Sequence, residues 1–157
     1  MSPRERRVAI RRGSFLRCGE SGTFAGMSQP VPIGISVVEH AGKYLVGIRG
    51  PNGPLPGKAE FPGGKCQAGE SARDCAVREC AEEAGLAVES VSLLLQRRFE
   101  YPHATVELAF WLCRPLDPVA AEHNGFRWVA PAELATLDFP EANAPLIEQL
   151  CGSTKGV

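Results

Sequence analysis

The sequence predicts an α/β (α+β) domain that contains both strands and helices. Two runs rich in β-branched and aromatic residues, about 33–39 and 43–49, flank a short turn in the pattern of a β-hairpin. Helix-favouring residues precede Gly85, and apolar residues recur at helical spacing over 144–151. With 157 residues, of which 44% are hydrophobic, the chain is long enough for one domain with a sizeable core.

The order of strands and loops is predicted from residue composition along the chain. The first hairpin turns at His40-Ala41-Gly42 and is followed by 50–57, which is too rich in Gly and Pro for regular structure. Loops of this kind on a rigid scaffold often carry substrate contacts. Two longer strands are expected at about 91–101 and 104–113, with Pro102 at the turn between them.

The helices are predicted from their end signals. Ser71 is a plausible N-cap with Asp74 three residues later, and Gly85 is a typical C-terminal stop. A short strand at 126–129 leads to Pro131, and proline is favoured at the first position of a helix. We therefore expect one well-defined helix in the middle of the chain and shorter ones near its end.

Charge divides the sequence into two parts. The first 28 residues hold six arginines and two glutamates and show little periodicity, so we interpret 1–28 as a flexible Arg-rich extension and 29–157 as the folded domain. The rest of the chain has 11 basic and 16 acidic residues, a net charge of −5. Affinity for nucleic-acid polymers depends mostly on Lys and Arg, so this acidic body argues against such a partner.

The composition also limits which partners and which cellular compartment we expect for this protein. No apolar run approaches the ~20 residues that a membrane span needs, and the first 28 residues lack a secretory-type apolar core. We therefore expect no membrane partner and an intracellular, cytoplasmic site of action. The six cysteines form no C-x-x-C pair and no Cys/His cluster at zinc-ligand spacing, which favours reduced thiols that pack as small hydrophobes.

The central helix is expected to have an apolar side and an acidic side. At ~100° per residue, the apolar side holds Val77, Cys80, Ala81 and Ala84, and the acidic side holds Glu79, Glu82 and Glu83. Like charges within ~5–6 Å destabilise a helix unless something neutralises them. A solvated acidic face is one reading. A site for hard Mg²⁺ or Mn²⁺ ions, which prefer clustered oxygen ligands and also bind substrate phosphates, is the other.

The residues around this helix resemble the Nudix box, G-x5-E-x7-R-E-U-x-E-E-x-G-U, where U is aliphatic. The fixed positions are filled by Gly64, Glu70, Arg78, Glu79, Glu82, Glu83, Gly85 and Leu86. One position departs, because Cys80 stands where an aliphatic residue is usual. Cysteine can pack as a small hydrophobe, so the departure is compatible with the same site.

The resemblance implies a Nudix α/β/α sandwich, with a mixed β-sheet between helices, that hydrolyses a nucleoside diphosphate linked to another group. It implies Mg²⁺ or Mn²⁺ as cofactor. The metal ligands that it suggests are Glu79, Glu82, Glu83 and the backbone carbonyl of Gly63. It suggests that one glutamate orients or deprotonates water, that Arg78 orients a carboxylate, and that Glu70 supports the site.

Resemblance outside the box, over roughly 32–151, points to the MutT-type branch of the family, which clears oxidised purine nucleotides. It is carried by Lys58-Ala59-Glu60-Phe61-Pro62-Gly63-Gly64 before the box, by Arg49 where the branch has a phosphate-contacting arginine, and by Asp138-Phe139-Pro140-Glu141-Ala142-Asn143-Ala144-Pro145-Leu146-Ile147 near the end. The branch often has a further metal-binding or catalytic glutamate where Glu122 lies, six residues before Trp128. A solvent-exposed loop acid is the alternative for Glu122.

In that branch the asparagine at position 143 reads the base. An 8-oxo purine carries a proton on N7, so a side-chain amide can donate to O6 and accept from N7–H, whereas guanine presents acceptors at both atoms. The alternative is that Asn143 caps the last helix. Phe61, with Tyr101 and Trp128, is expected to help wall the base pocket, although aromatic residues on strands are more often core.

Three functions therefore remain open from the sequence. The first is Mg²⁺-dependent hydrolysis of 8-oxo-dGTP to the monophosphate and pyrophosphate. The second keeps the box but acts on another small nucleotide, such as a cytidine nucleotide, a dinucleoside polyphosphate or ADP-ribose. The third is a non-catalytic nucleotide-binding regulatory domain, which would be expected to have lost box glutamates, and none is lost here.

Overall fold

The computed structural model describes residues 29–152. The expected N-terminal extension, 1–28, and the last five residues lie outside the described part of the chain. The described strands are β1 Val31–His40, β2 Lys43–Ile48, β3 Ala59–Glu60, β4 Gly63–Lys65, β5 Val88–Tyr101, β6 Ala104–Pro115, β7 Glu122–His123 and β8 Phe126–Val129. The described helices are α1 Ala72–Ala84, α2 Pro131–Leu134, a 3₁₀ helix Glu141–Asn143, and α3 Ala144–Gly152.

The strands form one mixed sheet with β1 at its centre. The order is β5-β6-β1-β2-β8-β7, and the short strands β3 and β4 pair with β2 and β1. β1 runs parallel to β6 and antiparallel to β2 and β4. The predicted β1–β2 hairpin is confirmed, and its turn residues Ala41 and Gly42 both have positive φ, 51° and 78°, as the twist of a two-residue hairpin requires.

Helices cover both faces of the sheet, which confirms the expected layered fold. On one face Val38 of β1 packs in a core cluster with Cys80 and Ala84 of α1. On the other face Val37 packs in a second cluster that includes Leu146 of α3. Successive side chains of a strand point to opposite faces, so β1 supplies both layers of the core.

The ends of α1 are set by the residues that the sequence indicated. The Ser71 hydroxyl accepts a hydrogen bond from the Asp74 backbone N–H at 3.1 Å, and Gly85 ends the helix in the left-handed conformation. Gly34 lets the helix approach the sheet closely, because a Cβ there would lie 2.5 Å from the Ala72 carbonyl oxygen and 2.8 Å from the Cys75 Cβ. The helix backbone is therefore seated directly on β1.

One detail of the helix prediction is wrong. Ala81 was expected on the apolar side, but the structure leaves it exposed. The buried residues of α1 are Cys75, Ala76, Glu79, Cys80, Glu83 and Ala84. The buried stripe includes two of the three acidic positions, because one edge of the helix faces the β4 turn and not solvent.

The cysteines behave as expected wherever they are described. Cys66, Cys75, Cys80 and Cys113 are buried free thiols, and Cys151 is partly buried and free. Cys80 is fully buried, and burial raises the pKa of its thiol to about 12. It thus fills the aliphatic position of the box as a neutral hydrophobe. No helix within residues 29–152 combines the length and apolarity needed to cross a membrane.

Candidate active site

The site is built where α1 passes the double-glycine turn of β4. Two acidic residues of the helix face that turn, and both are buried: Glu79 is 8% exposed and Glu83 is 3% exposed. The Gly63 N–H donates to Glu83 Oε2 at 3.3 Å. A Cβ at Gly64 would stand 2.6 Å from Glu79 Cδ, so a larger residue there would push that carboxylate from its place. The turn and the two carboxylates therefore form one packed unit.

A cysteine that the sequence did not single out helps to hold this turn. The Cys75 thiol donates to the Gly64 carbonyl oxygen at 3.2 Å. Burial is the main cause that raises the pKa of Cys75 well above its ordinary value, so the thiol keeps its proton and remains a donor. The pKa of the neighbouring Cys66 is also raised, chiefly by burial. Neither thiol is a nucleophile in this state.

Arg78 connects three carboxylates of the box. It donates to Glu70 from Nε and from Nη2, both at 2.8 Å, which is a bidentate pair. Its Nη1 donates to Glu79 Oε1 at 3.0 Å and to Glu82 Oε2 at 3.2 Å. The single positive charge of Arg78 is thus shared among three carboxylates. Sequence reasoning expected Arg78 to orient a carboxylate, and the structure shows which ones it contacts.

The same contacts shift the ionisation of the pair. The hydrogen bond from Arg78 lowers the pKa of Glu70 to about 2, although burial opposes the change. In turn Glu70 raises the pKa of Arg78 above its ordinary value. Glu70 is therefore ionised at any working pH. It also accepts from the Gln67 backbone N–H at 3.0 Å, which fixes the loop that enters α1.

The predicted acidic trio is only partly brought together. Glu79 and Glu82 share Arg78, and the Glu82 side chain is 42% exposed, whereas Glu83 faces Gly63. Within residues 29–152 no three His, Cys, Asp or Glu side chains are arranged to hold a metal ion as they stand. The physical reason is that the guanidinium of Arg78 draws two of the carboxylates toward itself.

The donor set nevertheless suits a hard divalent cation. Two buried carboxylates face the same glycine turn, Glu79 accepting from Arg78 and Glu83 accepting from the Gly63 N–H, so acidic oxygens are concentrated at this place. The residues that would hold the ion are Glu79 and Glu83, with Glu82 and the Gly63 carbonyl nearby in the chain. These are oxygen ligands, which Mg²⁺ and Mn²⁺ prefer over softer metals.

Glu122 lies outside the group of carboxylates that Arg78 connects. It lies exposed on the short strand β7, which pairs with β8, and its side chain has no hydrogen bond or ion pair with another described residue. Its hairpin is tied to α1 two residues later, where Asn124 Nδ2 donates to the Glu83 backbone oxygen at 3.3 Å. A catalytic or metal-binding role for Glu122 stays a prediction.

Arg49 follows β2 directly and lies against a buried acid. Its Nε is 3.4 Å from Glu60 Oε2, and its Nη1 donates to the Pro54 carbonyl oxygen at 3.2 Å. Glu60 is only 4% exposed, and the sequence had not marked it as a functional residue. The one signal for it in the sequence was a charged residue between two apolar residues, in Ala59-Glu60-Phe61. A phosphate contact for Arg49 stays a prediction.

A cavity of about 360 Å³ opens near the predicted base-reading residue. Its lining residues are Leu55, Lys58, Phe99, Glu100, Tyr101, Pro102, Pro140 and Glu141. The volume is in the range of small-ligand sites. The 3₁₀ helix that contributes Glu141 to the wall also carries Asn143.

Asn143 is 9% exposed, and its side-chain amide makes no hydrogen bond to any residue within 29–152. The capping alternative for Asn143 therefore finds no support in the described contacts. Phe61 is 4% exposed and stacks on Phe139 at 5.1 Å between ring centroids, which places it in the core and not in the lining of the cavity. Tyr101 lines the cavity as expected, whereas Trp128 packs elsewhere, donating to the Ala120 carbonyl oxygen at 2.8 Å.

This chain is similar to known proteins over most of its length. The profile described as NUDIX domain matches residues 34–149. The 8-oxo-dGTP diphosphatase of Escherichia coli (strain K12) is 36% identical over 98 residues, which cover 61% of this chain and 76% of that protein. The CTP pyrophosphohydrolase of the same organism is 29% identical over 115 residues, which cover 72% of this chain and 85% of that protein.

Solved structures agree with the fold. The crystal structure of the MutT protein from Methanosarcina mazei Go1 superimposes with a TM-score of 0.68 at 21% sequence identity. The superposition covers 82% of this chain and 99% of that one. At this level of identity the likeness supports the architecture, and the chemistry must be argued from the residues of the site.

Proposed function

The chain belongs to the NUDIX domain family and is a Nudix hydrolase, and on this premise we propose that it is a Mg²⁺-dependent nucleoside triphosphate pyrophosphohydrolase that prefers 8-oxo-dGTP. Water adds to a phosphorus atom of the triphosphate, and the products are the nucleoside monophosphate and pyrophosphate. The observation that supports the substrate assignment is the place of Asn143, a residue that is 9% exposed, on the 3₁₀ helix whose Glu141 lines a cavity of small-ligand size.

The acidic part of the site supports phosphate chemistry. A bound Mg²⁺, or Mn²⁺, offsets phosphate charge and lowers the pKa of coordinated water. Glu79, Glu82, Glu83, Glu122 and the Gly63 carbonyl are the proposed ligands. One glutamate among Glu79, Glu82 and Glu122 is proposed to act on the attacking water. Arg78 holds Glu79 and Glu82 together at Nη1, and these two carboxylates would turn from it toward the ion on binding, while the bond to Glu70 keeps the guanidinium in place.

The proposed substrate contacts come from residues outside the box. Arg49, with its side chain 27% exposed, would contact a phosphate, and its pairing with buried Glu60 keeps it at that place. Phe61, which stacks on Phe139 in the core, is proposed to support the base pocket. The partner is a small nucleotide, and we propose that the reaction takes place in the cytoplasm, where free thiols such as those described here persist.

Asn143 explains the preference for the oxidised base. Its NH₂ donates to O6 and its C=O accepts from N7–H of the 8-oxo form, whereas unmodified guanine places an acceptor against the amide oxygen. A site built for such a hydrogen bond can reject an analogue that lacks it by as much as ~10⁴–10⁵-fold. The amide must be held in one orientation, since its flipped form would also fit adenine.

A second candidate function is hydrolysis of a cytidine nucleotide. It is favoured by the likeness to the CTP pyrophosphohydrolase, which covers more of this chain than the likeness to the 8-oxo-dGTP diphosphatase does. The two functions share the acidic site and differ in the base pocket. The base that Asn143 contacts therefore decides between them.

The direct test is a panel of nucleotides assayed with Mg²⁺ for pyrophosphate release. We expect kcat/KM for 8-oxo-dGTP to exceed that for dGTP, CTP, 5-methyl-dCTP and ADP-ribose. A highest value for CTP or 5-methyl-dCTP would support the second candidate. Equal rates for 8-oxo-dGTP and dGTP would reject the base-reading role of Asn143 while leaving the hydrolase assignment intact.

A further inference from the structure

Arg97 of β5 contacts the segment that carries Asn143. Its Nη1 donates to the backbone carbonyl of Ala142 at 3.1 Å, across 45 residues of sequence. Ala142 is fully buried and directly precedes Asn143. In the sheet Arg97 pairs with Leu108, which belongs to the same core cluster as Ala142, so the arginine lies on the sheet face that the 3₁₀ helix covers.

The same guanidinium also contacts the cavity wall. It lies over the ring of Phe99 at 5.3 Å from the centroid, and Phe99 packs on Tyr101 at 4.8 Å between centroids. Phe99 and Tyr101 both line the cavity. Burial raises the pKa of Tyr101, while the charges of Arg49 and Arg97 oppose that rise, which agrees with a position of both guanidiniums close to the phenol. Arg97 therefore links the wall of the pocket to the helix beside it.

Asn143 is held in place through the backbone of the 3₁₀ helix. It is three residues long, and its N-cap residue, Pro140, offers no side-chain hydrogen bond. The Asn143 side chain has no hydrogen-bond partner in the described part of the chain, so its position depends on the backbone. That backbone is held by the Asn143 N–H to Pro140 carbonyl bond at 2.9 Å and the Ala144 N–H to Glu141 carbonyl bond, and the bond from Arg97 is the side-chain contact that joins it to the sheet.

We propose that Arg97 is a positioning residue for base recognition, acting through the Ala142 carbonyl to fix the Asn143 amide against the pocket wall. The inference rests on the proposed function, because it gives Asn143 the task of reading the base. Discrimination between two purines depends on hydrogen bonds held to a fraction of an ångström. A displacement of ~1 Å costs up to ~10²-fold in rate, so loss of Arg97 lowers selectivity although Arg97 contacts no base.

The test compares Arg97→Met with Arg97→Lys and Arg98→Met. Arg98 is the neighbouring residue, is 63% exposed, and pairs with Glu107 at 3.7 Å, so it is a matched control. The kcat/KM ratio of 8-oxo-dGTP to dGTP is expected to fall about 10- to 100-fold in Arg97→Met. Arg97→Lys keeps a charged donor and retains most of the ratio, and Arg98→Met keeps all of it.

A double-mutant cycle separates positioning from general destabilisation. In an Asn143→Ala background, Arg97→Met should change the ratio less than twofold, because the residue that it positions is already gone. Equal losses for both nucleotides, or a full additional loss in the double variant, would overturn the role of Arg97. A wild-type ratio near one would overturn the proposed function and the role of Arg97 with it, and this result is read from the wild-type protein alone.

Discussion

Arg78 and Glu70 form a bidentate ion pair in which two nitrogens and two oxygens meet at 2.8 Å. The pair spans eight residues and joins the loop before α1 to the middle of the helix. The third nitrogen of the same guanidinium reaches Glu79 and Glu82. Because a planar fork is needed for all these bonds, the geometry depends on arginine and not on positive charge alone.

Arg78→Lys should therefore reduce activity while the protein remains folded. A lysine ammonium cannot reproduce the bidentate bond and the bond to Glu79 together. Loss of a residue that orients proposed metal ligands typically costs about 10- to 100-fold in activity, and we expect it in kcat, since Arg78 contacts carboxylates. Steady-state kinetics beside Arg98→Lys provide the check, and a kcat within twofold of wild type would count against this role.

Glu70→Gln should change the dependence of stability on pH. The folded-state pKa of Glu70 is lowered from an ordinary value of 4.5 to about 2 by the bond from Arg78. Its ionisation therefore stabilises the fold fully above pH 4.5, and this contribution disappears as the pH falls toward 2. Urea unfolding from pH 7 to pH 2.5 should show the gap between wild type and variant narrowing in that window. A gap of constant size would contradict the pairing.

Gly64→Ala should lower activity more than stability. The new Cβ would lie 2.6 Å from Glu79 Cδ and Oε1, and the carboxylate at the end of a flexible side chain is what must move. We expect a fall of up to about 10²-fold in kcat/KM, with the free energy of unfolding changed by less than about 1 kcal/mol. Gly152→Ala, where a Cβ meets nothing within 4 Å, is the control. Unchanged kinetics would show that the position of Glu79 is not critical.

Asn143→Ala should remove the preference for the oxidised base. Hydrolysis of dGTP should persist, because the acidic site is untouched, and the kcat/KM ratio of 8-oxo-dGTP to dGTP should fall at least about tenfold. Gln96→Ala removes an exposed amide that pairs with Glu107, and it should leave the ratio unchanged. Retained selectivity in Asn143→Ala would place base recognition on other residues.

Much of the fold could be predicted because its signals are local. The cap at Ser71 and the stop at Gly85 fixed α1 to the residue, and the short turn at Ala41-Gly42 marked the first hairpin. The strands β3, β4 and β7 are two or three residues long and arise from pairing with longer strands. A pattern of that length carries no periodicity, so it was not predicted.

In the site, too, some features follow from the local sequence and others from contacts between distant residues. Helical spacing indicated that the box glutamates lie near one another, but burial of Glu79 and Glu83 depends on the turn that packs against them. The thiol bond from Cys75 to Gly64 and the reach of Arg97 to Ala142 join distant parts of the chain. No spacing rule within one element reveals contacts of this kind.

The measurement that tests the acidic site most directly is Mn²⁺ binding, followed by electron paramagnetic resonance, in wild type and in the variant Glu79→Gln/Glu83→Gln. The two buried carboxylates are the core of the proposed ligand set, so the double variant should bind Mn²⁺ at least about tenfold more weakly than wild type. Glu107→Gln, which changes a partly exposed acid on β6, should bind as wild type does. Equal Mn²⁺ affinity in the double variant and the wild type would contradict the account.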